Sequence, residues 1–159
     1  MDLFQAVSEV SQRPEVLAAV AAVYADISRA IAERKPVCEL SGRCCKFEEY
    51  GHRLYVSTLE LAAFYAGCCE TGSGRIATGV NWNGIGCPFQ KGKLCTVHTI
   101  RPFGCRMYFC DPTAQEWQQG MYEQFHTRLK GLHEDLGVPY FYVEWRGALR
   151  ELGLVSSSS

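Results

Sequence analysis

Cys87-Pro88-Phe89-Gln90-Lys91-Gly92-Lys93-Leu94-Cys95-Thr96-Val97-His98, continuing through Arg101-Pro102-Phe103-Gly104-Cys105-Arg106 to Cys110, is the stretch on which the reading of this chain turns. Its four cysteines are separated by seven, nine and four residues. Lys91-Gly92-Lys93 offers a tight turn, because Gly92 adopts a positive φ without steric penalty. A hairpin closed there brings Cys87 and Cys95 near one another. Arg101-Pro102 then breaks the extended segment and opens a helical turn carrying Cys105 and Arg106. Thiolates gathered in this way suit a soft or borderline cation such as zinc or iron.

A second group of thiols lies upstream, in Cys38-Glu39-Leu40-Ser41-Gly42-Arg43-Cys44-Cys45. Ser41-Gly42 interrupts any regular pattern and places this group on a loop. On a strand, adjacent Cys44 and Cys45 face opposite ways, so one ligates and the other packs unless a turn aims both inward. Each group alone supplies too few well-placed ligands for a closed tetrahedral site, so the two are expected to converge in space.

The two groups together resemble the YkgJ-type cysteine-cluster family, described as a zinc- or iron-chelating domain. The first half of that family's pattern is Cys-x-x-Cys-x-x-Cys-Cys, matched here at Cys38, Cys44 and Cys45. The second half is matched by Cys87-Pro88-Phe89, by Cys95 with a ring side chain three residues on, and by Arg101-Pro102 with Cys105-Arg106. The resemblance covers roughly residues 38–110. It implies metal ligands drawn from Cys38, Cys44, Cys45, Cys87, Cys95 and Cys105, with Cys110 in reserve. Ser41 stands where the family has its second cysteine, which leaves this chain one thiolate short. Water, His98 or Cys110 is a candidate for the vacant position, and His98 itself stands where a tyrosine is usual.

Length and composition agree with a small metal protein. A chain of 159 residues suits one domain with a sizeable core, here residues 1–155, followed by a disordered tail over 156–159. Nine cysteines is a high count for this length, and the number is odd. Met1-Asp2-Leu3-Phe4-Gln5 has neither a basic region nor an apolar run, which predicts no secretory leader and a cytoplasmic chain. Thiols kept reduced there point to metal or redox chemistry rather than to a disulfide framework. No stretch reaches membrane-spanning length. The net charge of −1 gives no electrostatic pull toward nucleic acid.

The remaining sequence predicts a helix-rich α+β fold with short strands around a cysteine-ligated metal site. Residues 14–35 read as an amphipathic helix with Val16, Val20, Val23, Ile27 and Ile31 on one face, capped by Ser11. Alanines at 18, 19, 21, 22 and 25 leave room for another helix, from a protein partner or a second copy of the chain. Residues 52–56 suggest a strand, and Ser57-Thr58-Leu59-Glu60 a capping box opening a helix that stops near Gly67. Cys68 and Cys69 fall outside the cluster pattern and read as packing thiols. Residues 75–82 form a candidate strand leading into the Asn83-Gly84 turn. Asp111-Pro112 starts a helix lined by Trp117, Met121, Phe125, Leu129, Leu132 and Leu136 and ended by Gly137. His126 and His133 share a face of that helix and read as surface or interhelical side chains. Tyr140 to Trp145 is a candidate strand.

Three functions follow from different classes. Metal chelation by the cysteine clusters, with zinc or iron, is the leading expectation. An iron or iron–sulfur metalloenzyme is the second, although no phosphate loop, His-Glu-x-x-His pair or nucleophile elbow is present. A zinc-ribbon-like interaction module is the third.

Overall fold

Asp2 starts the first helix. Its carboxylate accepts from the Gln5 backbone N–H at 2.8 Å, and the Gln5 side chain accepts from the Asp2 N–H at 3.2 Å. This reciprocal cap opens α1 (Leu3–Val10), whose Leu3, Ala6, Val7 and Val10 are buried at helical spacing. A computed structural model describes residues 1–36, 53–69, 80–92, 94–109 and 111–157 of the chain. The expected long helix is α2 (Pro14–Arg34), with proline in its first turn and Lys35 in the left-handed conformation closing it. Val16, Val20, Val23 and Ile27 are buried as the stripe predicts. Ser11 does not cap it. Because α1 ends at Val10, Ser11 falls at that helix's C-terminus and donates to the Ser8 carbonyl at 2.8 Å.

β1 (Tyr55–Ser57) leads directly into α3 (Thr58–Cys69). The Ser57 N–H donates to Glu60 Oε2 at 2.6 Å, which is half of a capping box. The other half is not made, since the Ser57 hydroxyl is buried without a partner. The helix also runs past Gly67, the expected stop. There the glycine serves packing instead: a Cβ would lie 2.8 Å from Ile100 Cγ2.

Among the described residues there are three two-stranded ladders, two of which tie distant segments together. β2 (Val80–Trp82) pairs in parallel with β6 (Val155–Ser157), and β1 pairs antiparallel with β5 (Tyr142–Glu144). β3 (Gln90–Lys91) and β4 (Leu94–Cys95) form the expected hairpin, with Gly92 at φ 63°. Ser156 and Ser157, the start of the expected tail, stand opposite Asn81 and Trp82 in the β2–β6 ladder. Cys95 is followed by a 3-10 turn (His98–Ile100) and then by the short α4 (Phe103–Arg106). The Asp111 side chain accepts from the Thr113 N–H at 2.9 Å to open a 3-10 turn that runs into α5 (Gln115–Asp135). The candidate strand at 140–145 is shorter than expected. Glu144 accepts from the Gly147 N–H at 2.7 Å and turns the chain into α6 (Trp145–Glu151).

The result is the helix-rich α+β architecture that the sequence predicts. Phe64 packs edge-on against Trp145 at 4.9 Å between ring centroids, with Phe89 at 5.4 Å from Phe64 completing the core triad. Among the described residues no helix is long and apolar enough to cross a membrane.

His133 joins α5 to α3 and is 2 % exposed. Its Nε2 accepts from the Leu59 N–H at 3.3 Å, and its Nδ1 lies 2.9 Å from the Leu129 carbonyl, so the ring is neutral with its proton on Nδ1. Burial holds its pKa below the ordinary imidazole value of 6.5, against the Leu129 carbonyl, which favours the charged form. Stability from this contact is therefore whole above pH 6.5 and lost as the pH falls through the lowered value. Glu60 acts in the opposite sense. Its raised carboxyl pKa means that its contribution is whole below the ordinary value and is lost as the pH rises through the folded one. Thermal melts from about pH 7.5 to about pH 5 should show wild type losing stability more steeply than His133→Gln, which takes up no proton. Parallel slopes would show that the imidazole does not titrate in this window.

Candidate metal centre

The hairpin holds the first two thiols of the downstream cluster. The Gln90 N–H donates to the Cys87 carbonyl at 3.2 Å, and Gln90 stands opposite Cys95 in the ladder. Cys87 is buried in the main core, and Cys95 packs, partly buried, against the same cluster as Phe64, Phe89 and Trp145. Hydrogen bonds from the Thr96 N–H and hydroxyl to the Phe89 carbonyl, at 2.9 and 2.7 Å, lock the exit of the hairpin. Local turn chemistry and core packing thus fix both thiols.

Cys105 sits on α4, and the turn leading to it is held by three side chains. Arg101 Nε donates to the His98 carbonyl at 2.9 Å. Arg106 Nε and Nη2 donate to the carbonyls of Arg101 and Thr99, at 2.7 and 3.1 Å, while its guanidinium lies over the Tyr24 ring at 4.0 Å. The two arginines therefore staple the backbone of this turn. Arg106 also lies within Coulombic reach of Cys105. A cation beside a thiol favours the thiolate, the form that binds metal.

The third anchor is Glu60, which is 4 % exposed. Its Oε1 accepts from the Phe103 N–H at 2.9 Å while Oε2 holds the Ser57 N–H, so one carboxyl joins the starts of α3 and α4. Burial pushes its pKa up, and the bonds from Ser57 and Phe103 pull it down. Leu54 packs so closely on α4 that a Cβ at Gly104 would collide with it. His98 is exposed on the 3-10 turn, and its pKa is lowered by desolvation first and then by Arg101 and Arg106. That keeps the imidazole in its neutral, metal-binding form.

No protein-family model, curated protein or solved structure matches this chain. What the centre can do follows from its own residues.

Cys87, Cys95 and Cys105 are in the described residues, whereas Cys38, Ser41, Cys44, Cys45 and Cys110 lie outside them, as does the expected convergence of the two clusters. Among the described residues no group of three or more His, Cys, Asp or Glu side chains is arranged to hold a metal ion. Cys87, Cys95 and Cys105 alone are therefore not a ligand set. A thiolate centre built on them needs donors from residues 38–45 or from Cys110. The donor types fit zinc or iron, since soft sulfur ligands select both and a neutral imidazole is an accepted fourth ligand for zinc. Sequence reading missed Glu60 as an anchor. Its capping position was legible, but its bond to Phe103 joins segments far apart in the chain.

Proposed function

We propose that this chain chelates a zinc or iron ion through thiolates from both cysteine groups, Cys38 and Cys44 or Cys45 with Cys87, Cys95 and Cys105. The observation that carries this reading is the pair of thiols at the hairpin. Cys87 and Cys95 belong to one core cluster and flank a turn fixed by register and by Gly92. The turn bearing Cys105 is separately anchored by Glu60, Arg101 and Arg106, and the Arg106 cation favours the thiolate. Such anchoring lowers the entropy that a metal would otherwise have to offset in ordering its ligands. When bound, the ion would supply a charge centre to which thiolates from separate segments attach.

Elemental analysis of anaerobically purified chain, combined with its visible spectrum, tests the proposal. Stoichiometric zinc without colour, or iron with thiolate absorption, is the expected result. The double variant Cys87→Ser/Cys95→Ser should lose the metal while circular dichroism still reports helix. A wild-type chain with no bound zinc or iron and all of its thiols open to titration would overturn it.

A further inference from the structure

Beside Cys105 lies a pocket of about 210 Å³, walled by β1, β5, α4 and α5. This is smaller than the roughly 300–1,000 Å³ that drug-sized ligands occupy, and it suits a ligand of one ring. One wall is aromatic. The rings of Tyr55 and Tyr142 stack at 5.6 Å between centroids, yet the two residues are 42 % and 40 % exposed. Tyr140 continues the stack at 6.3 Å from Tyr142, with the planes 5° apart. Tyr122 and Tyr142 both line the pocket with their hydroxyls bonded to each other, which leaves one phenolic donor between them, and a third ring added to this stack would gain offset aromatic contact.

Among the described residues that line the pocket, Arg53 is the one Lys, Arg, Asp or Glu side chain. Arg53 is exposed and forms no ion pair with any described residue. Its planar fork of N–H groups matches a carboxylate in bidentate fashion. An aromatic face, a phenolic hydroxyl and a guanidinium in one small cavity select a ligand that is flat and anionic.

We propose that this pocket binds a small planar aromatic carboxylate, with its ring on the Tyr55–Tyr142 stack and its carboxylate on Arg53. The inference does not rest on the metal reading, because none of these groups requires the ion to be in place.

Titration of the full chain with 4-hydroxybenzoate, followed by calorimetry and by saturation-transfer NMR, is the test. The neutral analogue 4-methylphenol, of similar size, is the control. The carboxylate should bind saturably and about tenfold or more tightly than the control, a difference of about 1.4 kcal/mol or more. Arg53→Ala should erase that preference by weakening the carboxylate alone, whereas Arg53→Lys should retain part of it. Tyr142→Ala should weaken both ligands. Melting temperatures of the variants establish that each is folded, and Tyr142→Leu, which keeps bulk without the aromatic face, replaces Tyr142→Ala if that variant does not fold. Equal affinity for the two ligands, no effect of Arg53→Ala, or no saturation of the carboxylate by about 10 mM would each overturn the proposal.

Discussion

Replacing Glu60 by alanine should lower the melting temperature by on the order of 10 °C, more than any other polar substitution in the described part of the chain. The carboxyl accepts two backbone N–H groups, from Ser57 and Phe103, in a site closed to solvent. Each donor left unsatisfied costs about 1–3 kcal/mol, and at this chain length each kcal/mol shifts the midpoint by about 2–4 °C. Glu60→Gln should recover only part of the loss, since its amide places a donor where one backbone N–H needs an acceptor. The same change frees the start of α4, so the Cys105 thiol should react faster with a soluble disulfide reagent. Midpoints of wild type and Glu60→Ala within a degree of one another would remove Glu60 as the anchor between α3 and α4.

Metal removal should have a comparable or larger effect if the thiolate centre is structural. Structural zinc contributes about 10–16 kcal/mol to the folding of small peptides. This chain has a hydrophobic core of its own, so only a fraction is needed for the native state. A contribution of about 2–3 kcal/mol corresponds to a drop of roughly 5–10 °C. A strong chelator should lower the midpoint by that amount and raise thiol reactivity at Cys87 and Cys95, with readdition of metal restoring both. A melting curve unchanged after verified metal loss would show that the ion does not hold the fold.

Local signals carried most of what the sequence revealed. The α2 stripe, the Gly92 turn, the Arg101-Pro102 break and the Asp111-Pro112 start each depend on residues within one or two turns of each other, and each has its counterpart in the structure. Helix α1 was equally legible and went unread. Asp2 and Gln5 are a cap signature, and Leu3, Ala6, Val7 and Val10 recur at helical spacing. At Tyr140–Trp145 the aromatic and β-branched content spoke for a strand throughout, but a side-chain cap from Glu144 starts a helix at Trp145. The parallel pairing of β2 with β6 had no local signature, since Asn81 and Ser156 carry nothing that names each other. Neither did the Glu60–Phe103 bond or the pocket at Arg53. Each is created by segments that meet only after the helices have packed. The proposed ligands rest on residue type and spacing, and residues 38–45 lie outside the described part of the chain.

The pairing of Tyr55 with Glu144, and of Val80 with Val155, also bears on how the chain is made. On a ribosome, β1 and β2 emerge long before the strands that complete them. Helices α1 to α3 can form locally and early, but closing either ladder must offset the entropy of a loop of about half the polypeptide. Every described cysteine is therefore synthesised before either long-range ladder can close. During that interval the nascent thiols are open to oxidation and to competing metals. Chain order thus makes the arrival of β5 and β6, which follow every described cysteine, the step at which both ladders can close.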